Sequence, residues 1–294
     1  MIITSLKGGL GNQLFQYAAG RALALRIGHA KNAPVTLKLD TTGYGENNGI
    51  DTMRYYALLP FNIEAEIATG EEIRALKYPF GIVSKGWRFF RTKVLRQFNI
   101  NFRYSIYSHK DPFYLDGFFQ TEKYFKDQEM EIHSDLTLRA PLSISATTIL
   151  NEIKGHSKSV SLHVRRGDYV TDVKTNLVHG TCGPEYYRKA IELITQKIGT
   201  DVLIFVFSDD IEWVKNNLPL QHPAIYVSNP KIADYEELRL MSLCSHNIIA
   251  NSSFSWWGAW LNTNPDKVVI APKRWVAKNE RRFMDIIPPT WIRI

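Results

Sequence analysis

The sequence has few cysteines and no long uninterrupted apolar run. Its 294 residues include two cysteines, Cys182 and Cys244, which cannot form a disulfide framework and have no metal-ligand spacing. This usage fits a reducing compartment. No uncharged apolar stretch approaches the roughly 20 residues of a membrane-spanning helix, and the first residues lack the basic and apolar segments of a secretory signal. We therefore expect a cytoplasmic protein.

Two nucleotide- and metal-binding signatures are also missing. The P-loop pattern G-x-x-x-x-G-K-[ST] does not occur, which argues against an ordinary NTPase. No Asp-x-Asp pair occurs either, so support for a divalent metal site is weak. The chain does have an ordinary globular composition, 45% hydrophobic and 22% charged, with a net charge of +7. That charge favours an anionic partner: a phosphorylated small molecule, nucleic acid or an anionic membrane surface.

The second half of the chain alternates between strand-like and helix-like segments. Short apolar runs at 159–164, 202–207 and 247–250 are separated by helical patterns at 186–198 and 234–244. Helices between buried strands predict an α/β fold with a parallel, doubly wound sheet.

The first half begins in the same way and then loses its regularity. Between the halves, residues 140–159 carry proline, serines and a glycine around one short helix, which is typical of an inter-domain linker. We therefore expect an N-terminal α/β domain over residues 1–150 and a C-terminal domain over residues 151–294.

The stretch GGLGNQLFQYAAG lies between a predicted strand and a predicted helix. Strand, glycine turn and helix is the order that a phosphate-binding loop requires. The dinucleotide fingerprint G-x-G-x-x-G, however, requires a third glycine where Leu14 stands. Asp40 also lies too far along the chain to be the ribose-binding acid. Two interpretations stay open: a cofactor loop, as in an NAD-dependent enzyme, and a tight turn without a ligand.

Three polar motifs follow predicted strands of the second half: HVRRGDY, FSDD and ANSSFSWW. Adjacent arginines suit a phosphate, the two aspartates suit ribose or base donors, and a helix N-terminus rich in serine suits a diphosphate. Each motif also has a structural explanation, as an exposed Arg–Asp turn or as a helix cap. Because the carboxyl ends of strands in a doubly wound sheet border one crevice, together the motifs indicate a nucleotide diphosphate.

In this order, GGLGNQLFQYAAGRALA, HVRRGDY, FSDD and ANSSFSWWGAWL resemble the α-1,2-fucosyltransferases of bacteria. More distantly they resemble the α-1,6- and protein O-fucosyltransferases. The resemblance runs from Lys7 to Trp275. It implies transfer of L-fucose from GDP-β-L-fucose, with inversion, to the 2-hydroxyl of a terminal β-galactose, without a metal or another cofactor.

The resemblance also implies an architecture and partners. Two Rossmann-like domains of the glycosyltransferase B type face each other across a cleft. The N-terminal domain mainly binds the acceptor, and the C-terminal domain binds the GDP-sugar. The partners implied are GDP-fucose and a galactose-terminated oligosaccharide or lipid-linked glycan, and no nucleic acid.

The matched residues take their expected roles from the resemblance. Arg165 corresponds to the arginine on the β-phosphate, where it neutralises charge that grows as the sugar leaves. His163 contacts the nucleotide, Asp168 orients the arginines, and Asn12 faces the diphosphate and acceptor. The donor-binding set is completed by Gly11, Gln13, Arg166, Asp209, Asp210, His246, Asn251, Ser252, Ser253 and Ser255.

The general base is open among three possibilities, since inversion requires a group that removes the proton from the galactose hydroxyl. Asp172 lies near the position where the α-1,6 relatives carry a glutamate. Asp168 is the second candidate, although an ion pair with Arg165 would lower the pKa of its carboxyl and make it a weak base. The third is a dissociative route in which the departing phosphate takes the proton.

A basic segment at residues 81–104 contains six Lys/Arg and no acidic residue. Its apolar residues Trp87, Phe90, Val94 and Phe98 share one helical face, which favours a helix packed on the core with a solvated basic face. The alternative is a surface helix that meets anionic lipid or substrate at the inner face of the membrane.

Alternatives to a galactoside 2-fucosyltransferase are a nucleotide- or glycan-binding module without turnover and a transferase of α-1,6 or protein O-linkage.

Overall fold

The computed structural model describes residues 1–44, 55–77, 113–167, 180–277 and 285–294. The chain divides into two compact units. The N-terminal unit comprises Met1–Arg139 with Met284–Ile286, and the C-terminal unit comprises Ala140–Phe283 with Ile287–Ile294.

The boundary between the units differs from the expected one. It falls after Arg139 rather than after residue 150. The reason is the helix at Ile144–Gly155, whose Ala146 and Ile153 join an apolar cluster with strand residues of the C-terminal unit. The stretch expected to be a linker is therefore largely a packed helix.

The N-terminal unit is a parallel sheet with flanking helices. Its strands are ordered β3-β2-β1-β4, and all three pairings are parallel. Its elements are β1 (Ile2–Ser5), α1 (Leu10–Lys31), β2 (Leu37–Asp40), β3 (Glu66–Ile67), α2 (Gly70–Lys77), β4 (Phe113–Leu115), 3₁₀ turns at Glu122–Tyr124 and Lys126–Gln128, and α3 (Glu129–Asp135).

The C-terminal unit is a six-stranded parallel sheet in the order β10-β9-β8-β5-β6-β7. This confirms the α/β class with parallel sheets, whereas two units facing each other across a cleft stay a prediction. Its elements are α4 (Ile144–Gly155), β5 (Ser159–Val164), α5 (Pro184–Ile198), β6 (Leu203–Ser208), α6 (Ile211–Asn217), β7 (Ala224–Tyr226), α7 (Asp234–Leu243), β8 (His246–Ile248), α8 (Ser253–Trp260), β9 (Val269–Ala271) and β10 (Ile292–Arg293).

Strands β5 and β6 are buried along their whole length. In β6, Ile204 and Val206 belong to one apolar cluster with residues of α5. Phe205 and Phe207 belong to another with residues of α4 and α7. Because alternate residues of a strand point to opposite faces, helices cover both faces of the sheet, as the continuous apolar run at 202–207 predicts.

A buried polar triad holds the N-terminal unit together. Tyr17 of α1 donates its hydroxyl hydrogen to Asp135 Oδ2 at 2.6 Å and accepts the Glu64 N–H at 2.9 Å. Arg21, one helical turn further, pairs with the same carboxylate oxygen at 2.9 Å. Burial and the nearby Asp135 carboxylate raise the pKa of Tyr17 far above its ordinary value, so the phenol stays a donor.

Among the described residues, no helix is long and apolar enough to cross a membrane.

We expect Gly20→Ala to destabilise the N-terminal unit, because α1 lies very close to the sheet at this residue. A Cβ on Gly20 would lie 2.3 Å from Thr4 Oγ1 and 2.9 Å from Leu37 Cδ1, and both neighbours are buried. Overpacking of this kind lowers the free energy of unfolding by roughly 1–3 kcal/mol. Urea denaturation followed by circular dichroism measures the change.

The matched control is Gly70→Ala in the same unit, where the nearest atom to an added Cβ is Arg74 Nη1 at 3.6 Å. That distance is an ordinary contact, so the free energy of unfolding should change by less than about 1 kcal/mol. Equal losses in the two variants would contradict the close approach of α1 to the sheet.

Candidate active site

Three polar motifs leave the C-terminal sheet at the ends of adjacent strands. Strand β5 lies between β8 and β6. Val164, the last residue of β5, pairs with Ser208, the last residue of β6. On the other side Leu162 pairs with Ile248 of β8. Since the strands are parallel, the residues that follow them emerge at the same edge of the sheet, which is where open α/β sheets bind ligands.

Two ion pairs join the loops after β5 and β6. Arg165 Nη1 lies 2.9 Å from Asp209 Oδ2, and Arg166 Nε lies 3.2 Å from Asp210 Oδ2. The backbone N–H of Arg166 also donates to Asp209 Oδ1 at 2.8 Å. The Arg166 guanidinium lies 3.7 Å from the centre of the Trp213 ring, a cation–π contact that fixes its plane. All four charged side chains are partly exposed, so a ligand can reach them.

The Asp209 carboxylate lies close to Gly167 in the loop after β5, so a larger residue at that position would require the carboxylate to shift. A Cβ on Gly167 would lie 2.4 Å from Asp209 Oδ2. Asp210 has a second role, since its Oδ1 accepts the Trp213 N–H at 3.1 Å and caps α6. Helix capping and a position facing the site therefore coexist in one carboxylate.

His163 is a buried, neutral imidazole at the end of β5. Burial, with a smaller contribution from the charge of Arg165, lowers its pKa to about 3. Its ring lies 5.7 Å from the Phe254 ring, between centroids. Its buried Nδ1 has no hydrogen-bond partner among the described residues. Buried polar atoms are nearly always paired, so an unpaired one indicates that its partner is a bound molecule. The His163 Nδ1 atom can accept a hydrogen bond from such a ligand or donate its own proton to it.

Of the three expected serines at the N-terminus of α8, two are buried and one is partly exposed. Ser252 caps the helix by accepting the Phe254 N–H at 3.3 Å, and the buried Ser255 donates back to the Ser252 carbonyl at 3.3 Å. Ser253, the first residue of the helix, is only partly buried. Of the three serines, Ser253 is the best placed to add a hydroxyl to the peptide N–H groups of the helix N-terminus.

Asn251 is a structural brace rather than an exposed ligand-binding group. It is buried, and its Nδ2 donates to the carbonyls of Gly180 and Trp275, each at 3.2 Å. Its Oδ1 lies 3.6 Å from Cys182 Sγ. Both amide hydrogens are thus used to connect loops of the same unit.

His246 does not reach the edge where the motifs meet. It begins β8 and pairs with Val160 near the start of β5, at the opposite end of the sheet from Arg165. Its Nδ1 accepts the Val268 N–H at 3.1 Å, and burial lowers its pKa. His246 is therefore not placed for the donor-binding role expected of it, because the first residue of a parallel strand lies at the amino edge of the sheet.

The glycine loop of the N-terminal unit corrects a second expectation. Gln13 is fully buried, and its amide donates to the carbonyls of Gly8 and Tyr55 and accepts the Ala57 N–H at 2.9 Å. With its hydrogen-bonding groups used inside the unit, Gln13 is not placed for the donor-binding role expected of it. The buried Gly11 is part of α1. Asn12 stays partly exposed and accepts from Gln120 Nε2 at 2.7 Å.

Glu237 is close enough to Asp209 for that carboxylate to affect its pKa, and no sequence motif singled it out. It lies in the first turn of α7, and burial, with the nearby carboxylates Asp234 and Asp209, raises its pKa to about 7 despite a hydrogen bond to Ser228. Ser228 in turn accepts the Ser208 N–H at 2.9 Å, which links Glu237 to the end of β6. The available signal was the acidic run DYEE at a helix start after a strand, which reads equally well as helix capping.

Some expected features lie outside the described residues. These are Asp168, Asp172 and the basic segment at 81–104. Within the part of the chain that the structure describes, no group of three His, Cys, Asp or Glu is placed to hold a metal ion.

Comparison with known proteins establishes the family. The profile of Glycosyl transferase family 11 matches residues 1–294, the whole chain. The chain belongs to glycosyl transferase family 11. The family-level resemblance expected from the four sequence motifs is thereby confirmed.

The relatives of this chain are named for different glycosyltransferase activities. The chain is 31% identical to the O-antigen biosynthesis glycosyltransferase WbnK of Escherichia coli, over 98% of this chain and 99% of that protein. It is 32% identical to an α-1,2-colitosyltransferase of Escherichia coli, over 100% of this chain and 99% of that protein. A galactoside α-(1,2)-fucosyltransferase 1 of Saimiri boliviensis boliviensis is 26% identical over 51% of this chain and 43% of its own length.

A solved fucosyltransferase, NodZ from Bradyrhizobium, superposes with a TM-score of 0.48 at 15% identity, over 87% of this chain and 91% of that chain. This likeness is too distant to define the fold, which rests on the two parallel sheets themselves.

We expect His163→Gln to flatten the pH dependence of stability of this family 11 chain. The unfolded chain protonates His163 below about pH 6.5, whereas the folded chain keeps it neutral down to about pH 3. The folded state therefore loses stability as the pH falls through this window, by up to about 1.4 kcal/mol per pH unit. The glutamine variant lacks this loss. Urea denaturation at about pH 7 and about pH 5 measures it.

The control is His156→Gln, at an exposed histidine of the same unit. It should follow the wild-type dependence. If the His163 variant also follows the wild type, the imidazole is not buried in its neutral form.

Proposed function

We propose that this family 11 chain is an inverting glycosyltransferase that moves L-fucose from GDP-β-L-fucose to the 2-hydroxyl of a terminal β-galactose. The observation that carries the proposal is the two ion pairs, Arg165–Asp209 and Arg166–Asp210, at adjacent strand ends. The similarity of the whole chain to an α-1,2-colitosyltransferase supports the linkage. An α-1,6 or a protein O-linkage is supported only by the more distant resemblance of the sequence motifs.

Arg165 is the residue that stabilises the leaving group. When the bond between fucose C1 and the phosphate oxygen breaks, negative charge grows on the β-phosphate, and a guanidinium there stabilises the transition state more than the ground state. Asp209 holds Arg165 Nη1 at 2.9 Å, so the guanidinium is oriented before the nucleotide binds. The N-terminus of α8 and the Ser253 hydroxyl add further donors to the diphosphate.

The carboxylates beside this phosphate site suit the nucleoside. The Asp210 side chain is more exposed than that of Asp209, and its carboxylate can accept hydrogen bonds from ribose hydroxyls. Glu237, whose pKa is raised to about 7, gains most from a partner that donates hydrogen bonds, because these favour its charged form. A guanine edge carries such N–H donors. His163 completes the nucleotide contacts as a neutral imidazole.

The group that accepts the proton of the galactose hydroxyl stays open among Asp172, Asp168 and the departing phosphate. As the hydroxyl gives up its proton, galactose O2 attacks fucose C1 and forms the new C–O bond, while the bond from C1 to the β-phosphate oxygen breaks and GDP leaves. A positioned base contributes roughly 10²–10⁴-fold to such a step.

The two units divide the substrates in this proposal. The C-terminal unit holds GDP-fucose, and the N-terminal unit, with Asn12, mainly holds the acceptor, a galactose-terminated oligosaccharide or lipid-linked glycan. A lipid-linked acceptor would bring the protein to the inner face of the membrane, where the basic segment at 81–104 can meet anionic lipid.

Transfer of colitose is the second candidate, favoured by the colitosyltransferase that is 32% identical over the whole chain. Colitose is fucose without its 3-hydroxyl, so the two donors share the nucleotide, the diphosphate and the reacting carbon. A site that hydrogen-bonds the 3-hydroxyl rejects the sugar that lacks it, because buried polar groups are then left unpaired.

We expect Arg165→Ala to lower kcat for GDP release by roughly 10²–10³-fold, as the loss of one transition-state donor does. The assay supplies purified protein with GDP-fucose and lactose, and in parallel with GDP-colitose, to decide between the donors. The control is Arg188→Ala on the exposed side of α5, where the ion pair with Glu185 is solvated; its kcat should stay at the wild-type value.

Failure of the wild type to release GDP with either donor, together with an unchanged Arg165→Ala protein, would contradict the proposal. GDP binding by calorimetry without turnover on any galactoside would favour the binding-module alternative.

We further expect turnover to persist in EDTA, because Arg165 and the α8 N-terminus supply the charge stabilisation that a divalent metal supplies in other glycosyltransferases. Initial rates in excess EDTA, with and without added Mg²⁺ or Mn²⁺, should agree within about twofold. A strict requirement for added metal would overturn this part of the mechanism.

A further inference from the structure

The segment that follows β4 has one buried face and one partly exposed face. From Leu115 to Thr121 the side chains alternate between buried and partly exposed. Asp116, Phe118 and Gln120 form the exposed set, at the carboxyl edge of the N-terminal sheet. A carboxylate, an aromatic ring and an amide are therefore presented side by side.

Two residues after β1 contact this exposed set. Lys7 Nζ lies 2.7 Å from Asp116 Oδ1 and 5.2 Å from the centre of the Phe118 ring. Asn12 Oδ1 accepts from Gln120 Nε2 at 2.7 Å. We call these five residues, Lys7, Asn12, Asp116, Phe118 and Gln120, the β4 face.

A buried, strained residue lies in the chain between Phe118 and Gln120 of the β4 face. Phe119 has φ +50°, in the left-handed region that bulky residues rarely adopt. Its buried ring packs edge-on against Tyr124 at 5.3 Å, between centroids, and its carbonyl accepts the Thr121 N–H at 2.8 Å. Such strain is retained where the conformation serves a site. Here it sets the directions of the neighbours, Phe118 and Gln120.

The chemistry of the β4 face suits an uncharged sugar. Lys7 and Asp116 neutralise each other, so the pair does not present the bare positive charge that a phosphate requires. Amide and carboxylate groups can exchange hydrogen bonds with sugar hydroxyls. The Phe118 ring offers a flat apolar surface to the C–H groups of a pyranose, and galactose exposes C–H groups at C3, C4 and C5 on one side of its ring.

We propose that the β4 face binds the terminal galactose of the acceptor. The Phe118 ring covers the apolar side of the sugar, and Asp116 and Gln120 hydrogen-bond its hydroxyls. Lys7 is a positioning residue that acts through Asp116. This inference rests on the proposed function, since it names where the acceptor of that reaction is held.

The test measures acceptor and donor binding separately in the full-length protein. Saturation-transfer NMR titration with methyl β-D-galactoside gives the acceptor Kd, with methyl β-D-glucoside as the specificity control, and calorimetry gives the Kd of GDP. Phe118→Leu and Asp116→Asn should each weaken galactoside binding by roughly tenfold and leave the Kd of GDP unchanged. Phe118→Trp keeps an aromatic surface and should retain most of the affinity.

The matched control for Asp116→Asn is Asp127→Asn, at a carboxylate of the same unit that is paired with Arg26 on the surface. Galactoside binding should be unchanged in this variant. Circular dichroism spectra of all variants confirm that they are folded.

The outcomes separate this inference from the proposed function. Unchanged galactoside Kd and acceptor KM in folded Phe118→Leu and Asp116→Asn proteins would overturn the β4 face and leave the transferase standing. Galactoside binding that depends on Phe118 in a protein that transfers neither sugar would support the β4 face and refute the proposed reaction. A wild-type protein that binds methyl β-D-galactoside no better than the glucoside would overturn the inference.

Discussion

Burial of both faces of β5 and β6 is the constraint on which the C-terminal unit depends. Alternate side chains of β6 enter apolar clusters on opposite sides of the sheet, so neither face can hold a charge without the cost of unpaired burial. The charged groups of the candidate site therefore lie at the strand ends, where Arg165 and Arg166 follow Val164 directly. Because Val164 and Ser208 are in register, the arginines meet the carboxylates of the neighbouring loop at hydrogen-bond distance. The pairing of strands thus determines the pairing of charges.

Sequence patterns were sufficient to predict the strands and the loops that carry the candidate site, but not the direction of each side chain. An amide in a loop has the same pattern whether it faces a ligand or braces the fold. Gln13 bonds Tyr55 and Ala57, more than forty residues away, and Asn251 bonds Gly180 and Trp275. These partners come together only in the tertiary structure, so no local pattern could have assigned either residue.

The pKa values of the charged and titratable groups at the site could not be predicted from the sequence either. Glu237 owes its raised pKa first to burial and then to carboxylates that include Asp209 from a different strand end. The neutral state of His163 has the same origin, since burial outweighs every other influence on its pKa. Both pKa shifts arise from burial where helices and strands pack together. The sequence could indicate only that histidine and acidic residues stand near strand ends. The register of β8 likewise decides that His246 lies at the wrong edge.

Packing around the glycine loop argues against dinucleotide binding and leaves one polar side chain of the loop partly exposed. The position where a dinucleotide loop needs its third glycine holds the fully buried Leu14. The carbonyl of Gly8 is occupied by the Gln13 amide and the Tyr44 hydroxyl. The turn is therefore closed by its own chain, which favours the interpretation of a tight turn over a dinucleotide loop. Asn12 is then left as the polar residue directed toward β4, and its partner there is a side chain of the same partly exposed face.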